Sequence, residues 1–463
     1  DADERGFRDF GKLCVRTGVT TITDLASRLS PDAVEMMLRV TGEATYPARV
    51  VPLKFFLGYT PADLVAETVR LRELSTDRLR LGRIKVVADG SIQGFSARLR
   101  WPGYHNGAPQ GLWYVAPEQL AEIMTRALEA GVQVHVHTNG DEATELVLDK
   151  LGPALLENPR PDHRFTLQHC QLADAAQFRR MKALGMCVNL FANHHFYWGD
   201  EHYRLTVGPE RAERMNACRT ALDTGVPMAI HSDAPVTPLG PLFTAWAAVT
   251  RLTASGRVQG AGERITVDEA LWAITMGAAY TLHLDGEIGS IEVGKAADFA
   301  VLEADPHEAG ADGLKDVPVW GTVQAAASSR RRPVTAPLPV TVIGGYLGAG
   351  KTTLVNHLLR NAGGRRLAIL VNEFGALPID EDLIEAREGD LISLAGGCIC
   401  CSFGNDLTQA LIDLAKLDPP PDHIVVESSG VALPGAITAT LSLLERVVPD
   451  GTVVLVDGET IRA

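Results

Sequence analysis

Short apolar runs rich in β-branched residues alternate with longer amphipathic stretches over residues 1–325. The runs have the length of strands, and the amphipathic stretches have the period of helices. This alternation predicts parallel strands joined by crossover helices. The candidate strands are Gly18–Leu25, Arg49–Leu57, Leu81–Asp89, Val132–Thr138, Arg164–His169, Cys187–Ala192 and Val226–Ser232, and the helices between them include Pro117–Ala130 and Asp174–Leu184.

Seven candidate strands, with no glycine-rich dinucleotide-binding loop after the first, favour one architecture. They predict an α/β fold based on an incomplete (β/α)8 TIM-type barrel that lacks one unit.

A different pattern begins near residue 340. The apolar run Val340–Ile343 predicts a buried strand, and Gly345-x4-Gly350-Lys351-Thr352 follows it at the spacing of a phosphate-binding loop. A helix then starts, with Leu354 and Leu359 on its apolar face. Further strands are predicted at Leu367–Val371, His423–Glu427 and Thr452–Val456. This region therefore predicts part of a P-loop NTPase with a three-layer αβα architecture.

Residues 326–339 separate these two regions. They are small, basic and proline-rich, which is typical of an exposed linker. The predicted domains are therefore 1–325, a linker at 326–339, and 340–463.

Composition narrows the class of protein. A net charge of −14 argues against a nucleic-acid or membrane-surface binder, and no apolar run approaches a membrane span. The first residues do not resemble a signal peptide, so we expect a cytoplasmic protein. Scattered cysteines that we expect to be buried core thiols are Cys14, Cys170, Cys187 and Cys218.

Polar residues stand at the ends of several candidate barrel strands. Lys85 lies on the third, His137 on the fourth, His169 at the end of the fifth, and Asp233 directly after the seventh. Catalytic groups of such barrels lie at the C-terminal ends of strands. Imidazole and carboxylate ligands suit Zn²⁺ or a similar divalent metal. Each histidine alone is typical of a packed or surface position, but their shared placement favours a metal site.

The phosphate-binding loop carries its own chemistry. Backbone amides of Gly345, Gly348 and Gly350 can surround a triphosphate. Lys351 supplies charge to the β and γ oxygens, and Thr352, followed by Thr353, supplies a hydroxyl to Mg²⁺. The alternative is a chance glycine-rich turn between a strand and a helix.

Two further segments of this region are candidates for metal binding. Glu427 ends a strand, where a carboxylate can hold Mg²⁺ against the γ-phosphate or can be an ordinary terminal acid. Three crowded thiols, Cys398, Cys400 and Cys401, offer soft ligands to Zn²⁺, with redox chemistry as the alternative.

Several motifs of the first region together resemble the YtcJ-like branch of the metal-dependent amidohydrolases. The resemblance covers roughly residues 7–325 and is specific to the superfamily but not to a substrate. Its closing segment implies a remnant of the flanking β domain. The matching segments are Ile84–Ser91, Val134–Asp141, Gln168-His169, His231–Val236, Thr266–Leu271 and Ile288–Phe299.

This resemblance implies roles for individual residues. Lys85 would be a carboxylated lysine that binds metal, and His137 and His169 would be ligands. Asp233 would bind metal and accept a proton from the attacking water. His194 and His195 would either contact substrate or lie on an exposed loop. His135 and His231 are interpreted as supporting or core groups.

The superfamily also carries a His-x-His pair on the first strand of its barrel. No histidine precedes His105 here, so we expect that strand to be missing. The seven candidate strands then correspond to strands two to eight, and Lys85, His137, His169 and Asp233 fall on strands four, five, six and eight. Loss of two ligands and one strand predicts, as an alternative, an inactive barrel.

The motifs of the second region resemble the CobW-like GTPases, a family of metallochaperones. The resemblance implies GTP and Mg²⁺ as ligands, a metal held by cysteines, and a client protein that receives it. The guanine-reading Asn-Lys-x-Asp segment is not present, so GTP rather than ATP is implied by the resemblance alone, and we expect a C-terminally truncated domain. The matching segments are Gly344–Thr353, Val371–Gly375, Gly397–Cys401 and Glu427–Gly430.

Three hypotheses follow. The first is a hydrolase of non-peptide C–N bonds in small amide or N-substituted formamide substrates, joined to a GTP-binding domain. The second is a metal-handling nucleotide-binding protein with an inactive barrel. The third is a fusion of two incomplete genes without joint activity.

Overall fold

A computed structural model describes the residues 4–324, 327–330, 338–345, 349–363, 365–371, 384–388, 391–394, 398–402, 407–415, 417, 420–428, 441 and 447–455. The chain divides into two compact units. The first holds residues 1–232 and 240–331, and the second holds 332–463 together with the short segment 233–239.

The first unit contains a curled parallel sheet of seven strands. The strands follow one another in chain order, so β1 and β7 are the edge strands of this sheet within the described residues. All seven predicted strands are present, and the α/β prediction is confirmed. The strands are β1 Thr21–Ser27, β2 Arg49–Phe55, β3 Arg83–Val87, β4 Gln133–Thr138, β5 Thr166–His169, β6 Cys187–Leu190 and β7 Met228–Ile230.

Helices connect these strands, and several begin where the sequence has a capping residue. The Ser30 and Thr60 hydroxyls accept hydrogen bonds from backbone amides of the first turns that follow. The helices are α1 Glu4–Thr17, α2 Pro31–Gly42, α3 Pro61–Arg72, α4 Pro117–Ala130, α5 Asp141–Glu157, α6 Ala175–Ala183, α7 His194–Glu201, α8 Gly208–Glu213, α9 Cys218–Thr224, α10 Pro241–Thr250, α11 Val267–Ile274, α12 Met276–Tyr280 and α13 Pro306–Gly313, with a π-helical turn at His202–Thr206.

A small antiparallel sheet follows the barrel helices. It consists of β8 Phe299–Leu302, β9 Val319–Gln324 and β10 Ala327–Arg330, with β9 in the centre. The last strand lies within residues 326–339, the predicted linker, so residues 327–330 form a strand and not a loop. Its backbone pairs with β9, and this pairing overrides the local preference for loop.

The second unit is built around another seven-stranded sheet. Its strands are β11 Leu338–Gly345, β12 Leu367–Val371, β13 Ile384–Glu388, β14 Leu391–Leu394, β15 Cys398–Ser402, β16 His423–Glu427 and β17 Val447–Leu455, in the order β13-β14-β15-β12-β16-β11-β17. Pairs among β15, β12, β16, β11 and β17 are parallel, and β13 and β14 add an antiparallel edge. The helices are α14 Lys351–Arg360 and α15 Leu407–Leu414.

Each unit has hydrophobic core clusters of its own. The largest cluster of the first unit lies between the barrel sheet and its helices, with Ile84 and Val134 fully buried. The second unit packs Val340 and Ile424 in one cluster and Ile343 and Val425 in another. The four scattered cysteines are free and buried, as predicted. No helix in the described ranges has both the length and the apolar character needed to cross a membrane.

Candidate functional site

Three ligand-type side chains converge at the C-terminal edge of the barrel sheet. They are His169, the last residue of β5, with His231 and Asp233, which follow the end of β7. One ligand atom from each lies within 4.8 Å of the others. Two imidazoles and a carboxylate at this spacing are a donor set for a divalent metal ion.

Strand register explains why these residues meet. His169 pairs with Leu190 of β6, and Leu190 pairs with Ile230, so the three strands end at the same level. His169 and Asp233 both have positive φ angles, 70° and 56°, which turn the chain sharply away from the strand direction. Such conformations in non-glycine residues cluster at functional sites.

Two more predicted residues lie beside this cluster. The ring centroid of His137, on β4, is 4.5 Å from that of His169, and the centroid of His231 is 4.9 Å from His169 on another side. Lys85 is buried on β3, where it pairs in register with His135. Its charge contributes to lowering the pKa of His137, His169 and His231.

Burial is the largest influence on the imidazoles. It lowers the pKa of His137 and of His231 to about 3, and it lowers the pKa of His169 well below its ordinary value. The rings are therefore neutral near pH 7 and keep a lone pair. Nε2 of His231 is buried and has no hydrogen-bond partner among the described residues, which fits a nitrogen that faces a metal ion.

Asp89 anchors the loops around this edge. It is fully buried, and its carboxylate accepts hydrogen bonds from the amides of Arg98, Asn139 and Gly140 at 2.8–2.9 Å. Its Oδ1 also lies 3.8 Å from Nε2 of His137. Burial raises the pKa of Asp89 to about 7, although the three amides oppose that change. The carboxylate thus ties the ends of β3 and β4 together.

His194 and His195 do not lie on an exposed loop, so that prediction is wrong. Both are 1% exposed and lie in the first turn of α7, and three residues separate this helix from β6. The ring of His194 stacks on Trp198 and contacts Phe191, with centroids 4.6 and 4.7 Å apart. The aromatic rings that cover His194 come from Phe191, just before α7, and from Trp198, one turn later in α7, and the polarity of single residues does not reveal this packing.

The two histidines interpreted as supporting groups have different environments. His135 is buried inside the sheet, where its Nδ1 is 2.7 Å from the amide nitrogen of Gln168. His231 instead belongs to the group of His169, His231 and Asp233, called the metal-type cluster from here on. This place was not predicted for it from the sequence. The sequence did offer one signal for this place: His231 directly follows β7 and stands two residues before Asp233.

The phosphate-binding loop has the predicted strand and helix on either side. Gly350 adopts a left-handed conformation at the N-terminus of α14, and Lys351 donates from Nζ to the carbonyl of Gly345 at 2.8 Å. Thr352 donates to Glu427 at the end of β16, with 3.4 Å between Oγ1 and Oε1. Thr353 is an exposed residue of the first helical turn. Gly348 lies outside the described residues.

The cysteine cluster lies on β15. Its backbone pairs in parallel with β12, with Cys400 opposite Ile369 and Cys401 opposite Leu370. The side chains of Cys398, Cys400 and Cys401 are not among the described parts, and neither is the segment 372–375, which belongs to the motifs that resemble the CobW-like GTPases.

The curated relatives that match the first unit include YtcJ and an N-substituted formamide deformylase. An amidohydrolase named YtcJ, from Bacillus subtilis (strain 168), is 30% identical over 51% of this chain and 45% of its own length. The N-substituted formamide deformylase of Arthrobacter pascens is 29% identical over 55% of this chain and 46% of its own length. A solved structure of a metal-dependent hydrolase from Pyrococcus horikoshii OT3 shares the fold, with a TM-score of 0.52 and 22% identity over 63% of this chain and 57% of that one.

The second unit matches other proteins. The zinc chaperone CobW of Sinorhizobium sp is 40% identical over 27% of this chain and 38% of its own length. The chain thus spans about half or less of the length of these curated relatives.

Family profiles divide the chain in the same way. Residues 339–463 match the profile of the CobW/HypB/UreG nucleotide-binding domain. Residues 1–325 match the profile of the amidohydrolase family, and with its strand-end histidines and carboxylate the chain belongs to that family.

Proposed function

We propose that residues 1–325 hydrolyse a non-peptide C–N bond in a small amide or N-substituted formamide. The observation that carries this proposal is the convergence of His169, His231 and Asp233 within 4.8 Å at the C-terminal edge of a parallel sheet. The similarity to the deformylase of Arthrobacter pascens supports a formamide-type substrate.

A divalent ion such as Zn²⁺ fits this cluster. His169, His231 and Asp233 would hold it, with His137 and Lys85, the latter carboxylated on Nζ, as neighbouring ligands. The low pKa values of the histidines support this assignment because a neutral imidazole is the metal-binding form. The ion would supply positive charge that polarises the substrate carbonyl and makes a water molecule more acidic.

The protein's own residues would transfer a proton from the attacking water to the leaving amine. Asp233 accepts it from the attacking water and returns it to the nitrogen of the leaving amine, so that a carboxylic acid and an amine are released. Phe191 packs against His169 and His231, with ring centroids 5.7 and 4.9 Å away, and limits the access of bulk water to this side of the cluster.

The test uses the zinc-loaded chain and a simple N-formylamine. Asp233→Asn should lower kcat/KM by about 10²- to 10⁴-fold, because the amide cannot accept the proton. Asp77→Asn is the matched control, since Asp77 is exposed in the turn before β3, at the opposite edge of the sheet. No turnover by the zinc-loaded wild-type chain would contradict hydrolysis and favour the inactive-barrel alternative.

We propose a second function, GTP binding with Mg²⁺, for the second unit. It is supported by the contact between Thr352 and Glu427, because a hydroxyl and a carboxylate at this place are the usual protein groups around a nucleotide-bound Mg²⁺. Lys351→Ala should abolish binding of a fluorescent GTP analogue, whereas His357→Ala, on an exposed face of the same helix, should leave it unchanged. Equal binding by both variants would contradict the assignment.

The cysteines Cys398, Cys400 and Cys401 would then carry zinc as cargo for a client protein, as the similarity to a zinc chaperone suggests. Thiols remain reduced in the cytoplasm, where we expect the protein to work. Zinc affinity should differ between the GTP and GDP states and fall in Cys400→Ser. Equal affinity in both nucleotide states would argue against a chaperone.

A further inference from the structure

Three buried side chains form a hydrogen-bonded row beside the metal-type cluster. They are His194, His202 and Thr206, which are 1%, 0% and 2% exposed. His194 begins α7, and the other two are the first and last residues of the π-helical turn that follows it. Hydrolysis as proposed above gives this row no task.

The row is connected by two short contacts. Nδ1 of His194 lies 3.2 Å from Nε2 of His202, and Nδ1 of His202 lies 2.7 Å from Oγ1 of Thr206. The rings of the two histidines stack at 5.0 Å, with 17° between their planes. Both rings are neutral, because burial lowers the pKa of His202 to about 3 and that of His194 well below its ordinary value.

The hydroxyl at the inner end sets the direction of both hydrogen bonds. Within the described part of the chain, Thr206 Oγ1 has its hydrogen-bond contact with Nδ1 of His202, and a buried hydroxyl proton is rarely left unpaired. Thr206 therefore donates to His202. A neutral imidazole carries one proton, so His202 donates from Nε2 to Nδ1 of His194. His194 consequently carries its own proton on Nε2.

His194, at the outer end of the row, is separated from His231 of the metal-type cluster by one aromatic ring. The ring of Phe191 contacts both His194 and His231, with centroids 4.7 and 4.9 Å away. Trp198, which is partly exposed, stacks on His194 at 4.6 Å with 22° between the planes. An N–H donor whose own ring packs against aromatic side chains suits a planar group that carries a hydrogen-bond acceptor.

We propose that His194 determines substrate specificity by donating a hydrogen bond from Nε2 to an acceptor on the substituent of the substrate nitrogen. The substrate class is an N-formyl or N-acyl amine whose planar substituent carries a ring nitrogen or a carbonyl oxygen. His202 and Thr206 are positioning residues that hold His194 in the Nε2-protonated form. The proposal rests on the hydrolysis proposed above.

The tautomer can be measured directly. In the whole chain labelled with ¹⁵N-histidine, NMR should show His194 protonated on Nε2. Thr206→Val should shift the proton toward Nδ1, and Thr206→Ser, which keeps the hydroxyl, should leave it on Nε2. Protonation on Nδ1 in the wild type, or equal spectra for Thr206→Val and Thr206→Ser, would overturn the positioning role.

Specificity is tested with two substrates, N-(2-phenylethyl)formamide and its pyridyl counterpart. We expect the zinc-loaded wild type to prefer the pyridyl compound about tenfold in kcat/KM, as one neutral hydrogen bond provides. His194→Phe keeps the aromatic stacking and should abolish the preference. Equal use of the two substrates by an active wild type, or a preference that survives His194→Phe, would overturn the proposal.

These outcomes separate the two proposals. Absence of turnover with both formamides would remove the hydrolytic function, and the specificity with it. Normal turnover without discrimination would remove the role of His194 alone.

Discussion

At the scale of single residues, a buried ion pair joins the barrel sheet to the segment before β8. Arg49 on β2 donates from Nη1 to Asp298 at 2.5 Å, and both side chains are at most 6% exposed. Asp298→Ala would leave a buried guanidinium without its carboxylate, and we expect a loss of about 3–5 kcal/mol in unfolding free energy. Urea unfolding followed by tryptophan fluorescence measures it, because all six tryptophans lie in the first unit.

An exposed pair provides the control for that measurement. Glu201 and Arg204 lie 2.6 Å apart but are 50% and 69% exposed, so Glu201→Ala should cost less than about 1 kcal/mol. A cost for Asp298→Ala within that smaller range would show that Arg49 is satisfied by its other partners, the hydroxyl of Thr21 and the carbonyl of Asp77.

Only some residues of the candidate site could be predicted from the sequence. His137, His169 and Asp233 were predicted as site residues because strand ends can be read from periodicity, and parallel strands end at one edge of a sheet; the structure places the ligand atoms of His169 and Asp233 within 4.8 Å of each other. The place of His231 in the cluster depends on the turn after β7, and the burial of His194 depends on which rings cover it. His231 had a local signal in its position two residues before Asp233, whereas the burial of His194 has none.

At the scale of elements, the start of α5 is packed directly against the loop that follows β3. A Cβ atom at Gly140 would lie 1.7 Å from the carbonyl oxygen of Arg98, although the φ angle of Gly140 is an ordinary −80°. Gly140→Ala therefore has to displace the backbone that Asp89 holds. We expect a loss of about 1–3 kcal/mol in unfolding free energy, measured by urea unfolding.

A glycine inside the same helix separates this clash from helix propensity. A Cβ atom added at Gly152 would meet no neighbouring side chain or segment within 4 Å, so Gly152→Ala should be neutral or stabilise by up to about 1 kcal/mol. Equal losses in the two variants would mean that the contact with Arg98 relaxes without cost.

Elements of the two sheets differed in how well they could be predicted. The barrel strands β2 to β7 are largely buried and read as apolar runs, whereas β1 is mostly exposed or half-buried, and α4 was predicted with its observed bounds. By contrast, β13 and β14 form an antiparallel edge, and β10 lies in a segment with linker composition. Such strands are stabilised by pairing with a neighbour, so their own residues carry a weak signal.

At the scale of the whole molecule, the two units have separate hydrophobic cores. The clusters of the first unit end at Leu314, and those of the second begin at Leu338. Separate cores allow separate cooperative transitions, and a ligand stabilises only the unit that binds it. Tryptophan fluorescence reports the first unit alone, whereas far-ultraviolet circular dichroism reports both.

The nucleotide should stabilise the second unit alone. Mg²⁺ and GTP at a hundredfold excess over Kd should stabilise the second unit by about 2.7 kcal/mol. The midpoint seen by tryptophan fluorescence should stay constant, while part of the dichroism signal moves to higher temperature. Lys351→Ala should abolish that movement, because its ammonium group would contact the phosphates. A nucleotide-dependent rise in the fluorescence midpoint would contradict the prediction, since the nucleotide would then stabilise the first unit as well.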